Sequence, residues 1–248
     1  MALIEELDKQ GNFLFKYRSY FPLLFLVVAT AVYWLEVSAA NPLVDDQNYW
    51  YLSLGVGILG LLVRIFTVGF TPKNTSGRNT AEGQVADELN ETGIYSLVRH
   101  PLYVGNFLMW LGLAMLTANT WFIVAFTLTY WVYYERIMFA EEAFLRNKFG
   151  DMYLKWAADK PAFVPRIGIP TKPKYPFSIK KVLKKEKNGV AALFGLFYVY
   201  EVIKNYLETG SWELVRGFWF NAFVISTVAY IIIKVIKKYT QLLDEEGR

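Results

Sequence analysis

The sequence LYVGNFLMWLGLAMLTANTWFIVAFTLTYWVYY occupies residues 102–134 and contains no charged side chain. It consists of two apolar runs, 102–118 and 121–134, with two polar residues between them. A helix that crosses a bilayer takes about 20 mostly apolar residues, within a range of roughly 17–25. The short polar break therefore predicts a tight hairpin of two membrane helices, the second of which continues past Tyr134.

Four further apolar segments have the composition of membrane-spanning helices, and they cover residues 21–37, 49–70, 189–203 and 217–233. The composition of the chain agrees with this interpretation, because 54% of its 248 residues are hydrophobic and 19% are charged. In a soluble domain, about 25% of the residues are charged. We therefore predict an all-α, multi-pass transmembrane helical protein with about six spans.

Lys and Arg side chains are distributed unevenly among the segments that connect these spans. Of the 26, 23 lie in the two terminal segments and in the connections 71–101 and 135–188, whereas two lie in the remaining connections. Cytoplasmic flanks of membrane helices are enriched in Lys and Arg. The pattern predicts an integral membrane protein with both termini in the cytoplasm. Because topology explains the clustering and the net charge is only +4, we expect no nucleic-acid partner.

The cysteine and histidine content excludes several kinds of site. The chain has no cysteine and a single histidine, His100, so disulfides, thiolate metal sites and a cysteine nucleophile are excluded. One histidine cannot form a cluster of imidazole ligands either. We therefore expect no metal cofactor.

The segment GIYSLVRHPLYVG at residues 93–105 combines several ligand-binding features. Pro101 moves the preceding residue out of the helical conformation and suits the first turn of a helix. Arg99 and His100 place two donors at that helix N-terminus, which itself attracts anions, and the tyrosines on either side offer rings that can cover a flat heterocycle. A basic, aromatic belt at a membrane interface has the same composition, so the residue types leave both interpretations open.

A second segment, ERIMFAEEAFLRNKFGDMY at residues 135–153, continues the second helix of the hairpin beyond the membrane. Glu142 precedes Arg146 by four residues, so a helix-surface ion pair explains it. Glu141 precedes Leu145 by the same spacing, and no such pair explains it. A carboxylate at this position, opposite the Arg-His pair of the first segment, would suit a zwitterionic ligand.

Three features in or near the spans admit more than one interpretation. GVGILG at 55–60 matches a dinucleotide-binding pattern that has meaning only at a strand-to-helix turn, and inside a spanning helix close packing of small residues explains it better. Arg64 either extends its side chain to the interface or has a buried role. KKVLKKEK at 180–187 is either a solvated flank or an anchor for anionic membrane lipids.

Fifteen residues within the region 70–170 carry a more specific pattern, in the order Gly93, Tyr95, Arg99, His100, Pro101, Tyr103, Gly105, Glu141, Glu142, Leu145, Phe149, Gly150, Tyr153, Val164 and Pro165. In order and spacing they resemble the integral-membrane methyltransferases typified by isoprenylcysteine carboxyl methyltransferase and the related phospholipid methyltransferases. The resemblance implies a methyltransferase core in 71–170. Outside this core, hydropathy and composition predict a pair of membrane helices in 1–70 and a basic linker with a C-terminal helical pair in 171–248. The family pattern ends near Pro165, so the last region lies beyond it.

The resemblance also implies a methyl donor, an acceptor and a site. The donor would be S-adenosylmethionine, bound on the cytosolic side without a metal, and the acceptor would be a lipid or prenylated molecule that enters from the bilayer. The donor-binding residues that the resemblance implies are Tyr95, His100, Pro101, Leu102, Tyr103, Glu141 and Glu142. Catalytic roles would fall to Arg99 and Arg136, of which Arg136 is the nearest counterpart of an arginine that addresses the acceptor in the family.

Two alternatives compete with this hypothesis. A sterol-reductase-like enzyme would bind NADPH at the same end and would need basic residues for the extra phosphate, for which Arg99, Arg136 and Arg146 are available. A non-catalytic scaffold or transporter would explain the membrane helices but not the spacing of the two motifs. The repeat symmetry and broken helices typical of transporters are not evident in the sequence.

Overall fold

The apolar segments fold into a bundle of α-helices, with one small β-hairpin beside it. The computed structural model describes residues 2–75, 78–80 and 83–247. The helices within these ranges are α1 (Leu3–Tyr17), α2 (Phe21–Ser38), α3 (Gln47–Phe70), α4 (Pro101–Met115), α5 (Thr120–Phe149), α6 (Asp151–Ala157), α7 (Ile179–Thr209) and α8 (Phe218–Tyr239). The strands β1 (Arg78–Thr80) and β2 (Gly83–Val85) pair antiparallel in the connection between α3 and α4.

The six apolar segments predicted from the sequence lie in the helices α2, α3, α4, α5, α7 and α8. Among the described residues, three helices are long and apolar enough to cross a membrane, namely α3, α7 and α8, and a fourth candidate arises if α1 and α2, bent by 75°, count as one span. Helix α4 has 15 residues and extends about 22 Å, which is short of a hydrocarbon core of about 30 Å. The mostly helical class is therefore confirmed, and the count of six spans is not.

The hairpin of α4 and α5 forms where the sequence predicts it. The Asn119 side-chain oxygen accepts a hydrogen bond from the Phe122 N–H at 2.8 Å and so caps α5. The Asn119 amide donates to Glu36 at 2.6 Å, and the Asn41 amide donates to the Ala118 carbonyl at 3.1 Å. These contacts gather the connections that follow α2 and α4 at one end of the bundle.

The basic connections lie together at the opposite end. Lys181, near the start of α7, is buried, and its ammonium donates to the Thr71 carbonyl at 2.5 Å. The Lys73 N–H donates to the Gly247 carbonyl at 2.9 Å. The one-sided distribution of basic residues in the sequence thus corresponds to one end of the fold. The segment 180–187 is part of α7, and its binding to anionic lipids stays a prediction.

Helices α3 and α4 approach each other closely through glycines. A Cβ atom added at Gly60 would lie 2.5 Å from the Gly105 carbonyl oxygen, and one added at Gly112 would lie 2.5 Å from the Ser53 carbonyl oxygen. Side chains at these positions would force the helices apart, so small residues set the helix separation. The packing interpretation of the segment 55–60 is confirmed.

Two buried clusters hold the bundle together. The first is aromatic and joins α2, α3, α7 and α8 through Tyr33, Trp50, Phe197 and Trp219. The second joins α1, α2, α4 and α5. The sequence predicts only a cytoplasmic flank for residues 1–20. In the structure, α1 packs along α5, and its C-terminal end lies near the two motifs.

Candidate functional site

The two sequence motifs meet where α4 begins and α5 leaves the apolar part of the bundle. The His100 Nε2 atom lies 2.9 Å from the Glu142 Oε1 atom, and the Arg99 Nη1 atom lies 3.1 Å from Glu142 Oε2. The Tyr103 hydroxyl donates to Glu141 at 2.8 Å. One carboxylate therefore holds the Arg-His pair and its neighbour holds the tyrosine. We call these five side chains the cavity network.

The backbone that precedes α4 is fixed by the proline-rich connection between α6 and α7. The Arg99 N–H donates to the Pro161 carbonyl at 2.9 Å. The His100 N–H donates to the Ala162 carbonyl at 3.1 Å. The backbone N–H groups of Arg99 and His100 therefore already have hydrogen-bond partners within the protein. An anion at this helix start would instead have to contact the side chains.

The charges around Glu142 favour its ionised form. Burial would raise the pKa of this carboxyl, but the hydrogen bond from His100 and the charges of His100 and Arg99 outweigh burial and lower the pKa. Burial and the charge of Glu142 raise the pKa of the Tyr153 hydroxyl. Burial beside the second carboxylate raises the pKa of Tyr95 in the same way. Both tyrosines therefore stay protonated and can donate hydrogen bonds.

A cavity of about 210 Å³ opens beside the cavity network. Six of the nine predicted site residues line it, namely Tyr95, Arg99, His100, Leu102, Tyr103 and Glu141. A second cavity of about 380 Å³ adjoins it and shares the wall residues Glu88, Leu89, Asn90 and Tyr95. Together the two cavities reach the range of roughly 300–1,000 Å³ that is typical of small-molecule sites.

The other three predicted residues do not line this cavity. Pro101 is buried and begins α4, and Glu142 holds the Arg-His pair from behind. Arg136 lines a separate groove of about 690 Å³ between α1 and α5, where its Nε donates to Gln10 at 2.9 Å. At about 100° per residue, Arg136 is rotated about 140° from Glu141 around the α5 axis. The five-residue spacing in the sequence therefore already predicts that the two side chains lie on different faces of the helix. Its role toward an acceptor stays a prediction.

The cavity is also lined by residues outside the two motifs, among them Phe15, Arg18, Arg64, Gln84, Asn106 and Trp156. Phe15 and Arg18 come from α1 and the turn that follows it, and Gln84 comes from β2. Of the six residues named here, only Arg64 is marked in the sequence, by its charge within an apolar segment. The other segments reach the site through packing, which leaves no local pattern.

Polar atoms in the cavity wall lack partners within the protein. Among the described residues, the Gln84 amide, the Trp156 Nε1 atom and the Arg99 Nε atom are buried and make no hydrogen bond. Because buried polar groups are normally hydrogen-bonded, these atoms suit a ligand with both donors and acceptors. Glu141 adds a carboxylate and Tyr95 adds a ring. Together these groups suit a zwitterionic ligand.

The fold and the site define a class: a mostly helical protein with candidate membrane-spanning helices and a cavity with a partly polar wall at one end of the bundle. Residues 52–152, which contain α4 and α5, match the phospholipid methyltransferase family. The match confirms the resemblance that the two motifs indicate. In the part of the chain that the structure describes, no three His, Cys, Asp or Glu side chains are grouped so as to hold a metal ion.

Three relatives illustrate the comparison. The protein-S-isoprenylcysteine O-methyltransferase of Schizosaccharomyces pombe is 40% identical over 75 residues, which are 30% of this chain and 32% of that protein. The probable protein-S-isoprenylcysteine O-methyltransferase of Oryza sativa subsp. indica is 32% identical over 115 residues, 45% of this chain and 60% of that protein. The cobalt-zinc-cadmium resistance protein of Cupriavidus metallidurans is 34% identical over 120 residues, 48% of this chain and 51% of that protein. The chain thus spans between about a third and three fifths of the length of these relatives, and no solved structure matches it.

Proposed function

We propose that the protein is an integral-membrane methyltransferase that uses S-adenosylmethionine to methylate a lipid or lipid-modified acceptor. The observation that carries this proposal is a cavity within the region that matches the phospholipid methyltransferases, in whose wall Glu141 lies beside buried polar atoms without protein partners. The names of the relatives from S. pombe and O. sativa support a prenylated acceptor, and the family name supports a phospholipid. A hydrocarbon chain on a polar head is common to both.

The residues of the cavity suit the binding of such a donor. S-adenosylmethionine supplies a methyl group on a positively charged sulfur, which a nucleophilic atom can displace in line, so the protein has to align the partners at about 3–3.5 Å and exclude water. Glu141, held by the Tyr103 hydroxyl, offers negative charge to a cationic group of the donor. The Arg99 Nε and Trp156 Nε1 atoms offer hydrogen bonds to its acceptors, and Tyr95 offers aromatic surface.

The remaining motif residues act by positioning in this proposal. Glu142 orients Arg99 and His100, because its two oxygens each accept from one of them. Pro101 starts α4 so that Leu102 enters the cavity wall. Removing Glu142 would therefore weaken donor binding without removing a direct contact.

The cavity faces the cytosol in this proposal, and both termini lie on the same side. The concentration of Lys and Arg at this end of the bundle supports the orientation. Six spans would be formed by α2, α3, α4, α5, α7 and α8, with the short α4 accommodated by local thinning of the bilayer. The division of the chain into 1–70, 71–170 and 171–248 belongs to the same proposal.

The arrangement of arginines disfavours the NADPH alternative. Arg99 is bound by Glu142, Arg136 lies in the groove between α1 and α5, and Arg146 is exposed outside the cavity. A ribose phosphate would not meet these three residues together. Other arginines line the cavity, yet two carboxylates line it as well. A scaffold or transporter gives no reason for buried polar atoms that face a cavity at the family motifs.

The test is a titration of the thermal midpoint of the purified chain in detergent with S-adenosylmethionine and, in parallel, with NADPH. A ligand at 100 times its dissociation constant stabilises a folded protein by about 2.7 kcal/mol. We expect a rise in the midpoint with S-adenosylmethionine alone. Glu141→Ala and His100→Ala should abolish the rise, whereas Arg146→Ala, an exposed change on the same helix, should preserve it. A rise with NADPH alone, or none with S-adenosylmethionine, would contradict the proposal.

A further inference from the structure

Arg64 has a buried partner in a part of the chain that lies outside the family match. Its Nε and Nη2 atoms donate to the two oxygens of Glu186 on α7 at 2.7 and 2.8 Å, and its Nη1 donates to the Asn106 side-chain oxygen at 2.5 Å. The Glu186 side chain is 2% exposed. Arg64, 21% exposed, is thus paired with a buried glutamate inside the bundle, and we call these three side chains the inner network.

A further cavity of about 200 Å³ lies on the other side of the inner network. It shares Arg64 and Asn106 with the cavity of about 210 Å³ beside the cavity network, which we call the donor cavity. From there it continues between α4 and α7 along apolar residues that include Met109, Leu113 and Leu196. Asn106 and Leu113 are seven positions apart, which corresponds to a distance of about 10 Å along the axis of α4. The polar end of this cavity therefore meets the donor site, and its apolar end points into the bundle.

Small residues of α7 create this space. Gly189 and Ala192 line the cavity, and a Cβ atom added at Gly189 would lie 3.3 Å from the Met109 methyl carbon. Ala192 is exposed, so the cavity opens sideways onto the surface that the spanning helices present to lipid. An elongated apolar molecule can enter by this route without crossing the cytosol.

We propose that the hydrocarbon chain of the acceptor occupies the cavity between α4 and α7, with its polar, reacting head at Arg64 and Asn106. The proposal rests on the methyltransferase function. Three features select this occupant: an apolar lining, an opening to lipid, and continuity with the donor site through two shared residues. Helix α7, which lies beyond the family match, then determines how bulky a chain the enzyme accepts.

The groove between α1 and α5 is the competing route. It is larger, about 690 Å³, and it contains Arg136, the residue that the family resemblance assigns to the acceptor. It shares no wall residue with the donor cavity. A molecule bound there would therefore have to reach around α1 or α5 to meet the donor, which favours the α4–α7 cavity.

Photolabelling of the purified chain distinguishes the two routes. The probes are a prenylated N-acetylcysteine with a diazirine on its prenyl chain and a phosphatidylethanolamine with a diazirine on an acyl chain. The variants are Ala192→Trp in the α4–α7 cavity, Val132→Trp in the groove, and Val199→Trp, an exposed position on α7 outside both. Labelled peptides are identified by mass spectrometry, and each variant is checked for its midpoint shift with S-adenosylmethionine.

We expect one of the two probes to label α4 and α7 near residues 106–113 and 189–196, and the probe that does so identifies the head group. Ala192→Trp should lower this labelling at least fivefold, whereas the other two variants should leave it within twofold, and all three should keep the midpoint shift. Labelling confined to the groove and lowered by Val132→Trp, labelling unaffected by Ala192→Trp, or no labelling of α4 and α7 by either probe would overturn the proposal. If the wild type gives no midpoint shift but the labelling is as expected, the methyltransferase function fails and the lipid site stands.

Discussion

The cavity network and the inner network each contain an arginine–glutamate ion pair, but they differ in the burial of the glutamate and in what they connect. In the cavity network the Arg99 and Glu142 side chains are 22% and 23% exposed, and His100 and Glu142 are 42 residues apart in the sequence. In the inner network the Arg64 and Glu186 side chains are 21% and 2% exposed, and the two residues lie 122 positions apart in the sequence. The first network joins the two arms of one hairpin, and the second fastens α7 to α3 and α4.

This difference in the burial of the glutamate separates a network suited to binding the donor from a contact that holds α7 in the bundle. A partly exposed network can exchange a protein partner for a ligand or for water, because its charges keep some solvation. A buried charge has no such substitute, and several kcal/mol of desolvation are compensated only by its partner. We therefore expect removal of Glu186 to act mainly on stability and changes in the cavity network to act mainly on donor binding.

The largest effect should follow Glu186→Ala, which removes the buried carboxylate and leaves the Arg64 guanidinium with one partner fewer. Breaking a buried ion pair lowers the free energy of unfolding by about 3–5 kcal/mol. Glu208→Ala, an exposed change on the same helix, should lower it by less than about 0.5 kcal/mol. Denaturant unfolding in detergent measures both. The double change Arg64→Met with Glu186→Leu should recover much of the stability, and equal effects of the two glutamate variants would remove the contrast between the networks.

An intermediate effect should follow Glu142→Gln, which weakens the hydrogen bonds from Arg99 and His100. Loss of hydrogen bonds to a charged group lowers the free energy of unfolding by about 1.5–3 kcal/mol. Because the folded-state pKa of Glu142 lies below its ordinary value of 4.5, its contribution is present above pH 4.5 and is lost as the pH falls through the folded-state value.

The check on Glu142 is the difference in stability between the wild type and the variant as a function of pH. The difference should be full at pH 7 and should shrink as the pH falls below 4.5. Glu135→Gln, an exposed change on the same helix, should give no such dependence. A constant difference across this range would mean that Glu142 is not held as an anion in the folded protein.

A smaller effect should follow Tyr103→Phe, which removes the hydroxyl that donates to Glu141 at 2.8 Å. The net contribution of one hydrogen bond is about 0.5–1.5 kcal/mol, so we expect the dissociation constant of S-adenosylmethionine to rise between about twofold and tenfold. Equilibrium binding in detergent measures this change. An unchanged dissociation constant would mean that Glu141 does not need the tyrosine to meet the donor.

The smallest effect should follow Lys174→Ala, which removes an exposed ion pair with Glu88 at 2.7 Å. Exposed pairs contribute little to stability and are screened by salt. The thermal midpoint should therefore fall slightly at low ionic strength and should equal that of the wild type at high ionic strength. A large, salt-independent fall would show that this pair behaves like the inner network.

The sequence predicts the helices, the hairpin and the meeting of the two motifs because each depends on a local pattern. Apolar runs of fixed length identify the helices, and the one-sided basic residues predict which connections lie together. Because a connection of only a few residues joins α4 to α5, the hairpin brings the start of α4 beside the extension of α5. His100 and Glu142 therefore meet although they are 42 residues apart. The helical periodicity also predicts that Arg136 and Glu141 lie on different faces of α5.

Only the tertiary structure decides what completes the site and what closes the bundle. Gln84 and Arg18 reach the cavity through the packing of β2 and α1, and Glu186 reaches Arg64 across 122 residues. Hydropathy and periodicity are properties of neighbours in the sequence, whereas the choice of a partner for a buried charge depends on which helix packs against it. The sequence therefore determined that Arg64 lies within an apolar helix, and the packing of α7 decided that the charge is paired with a buried glutamate and lies close to the donor cavity.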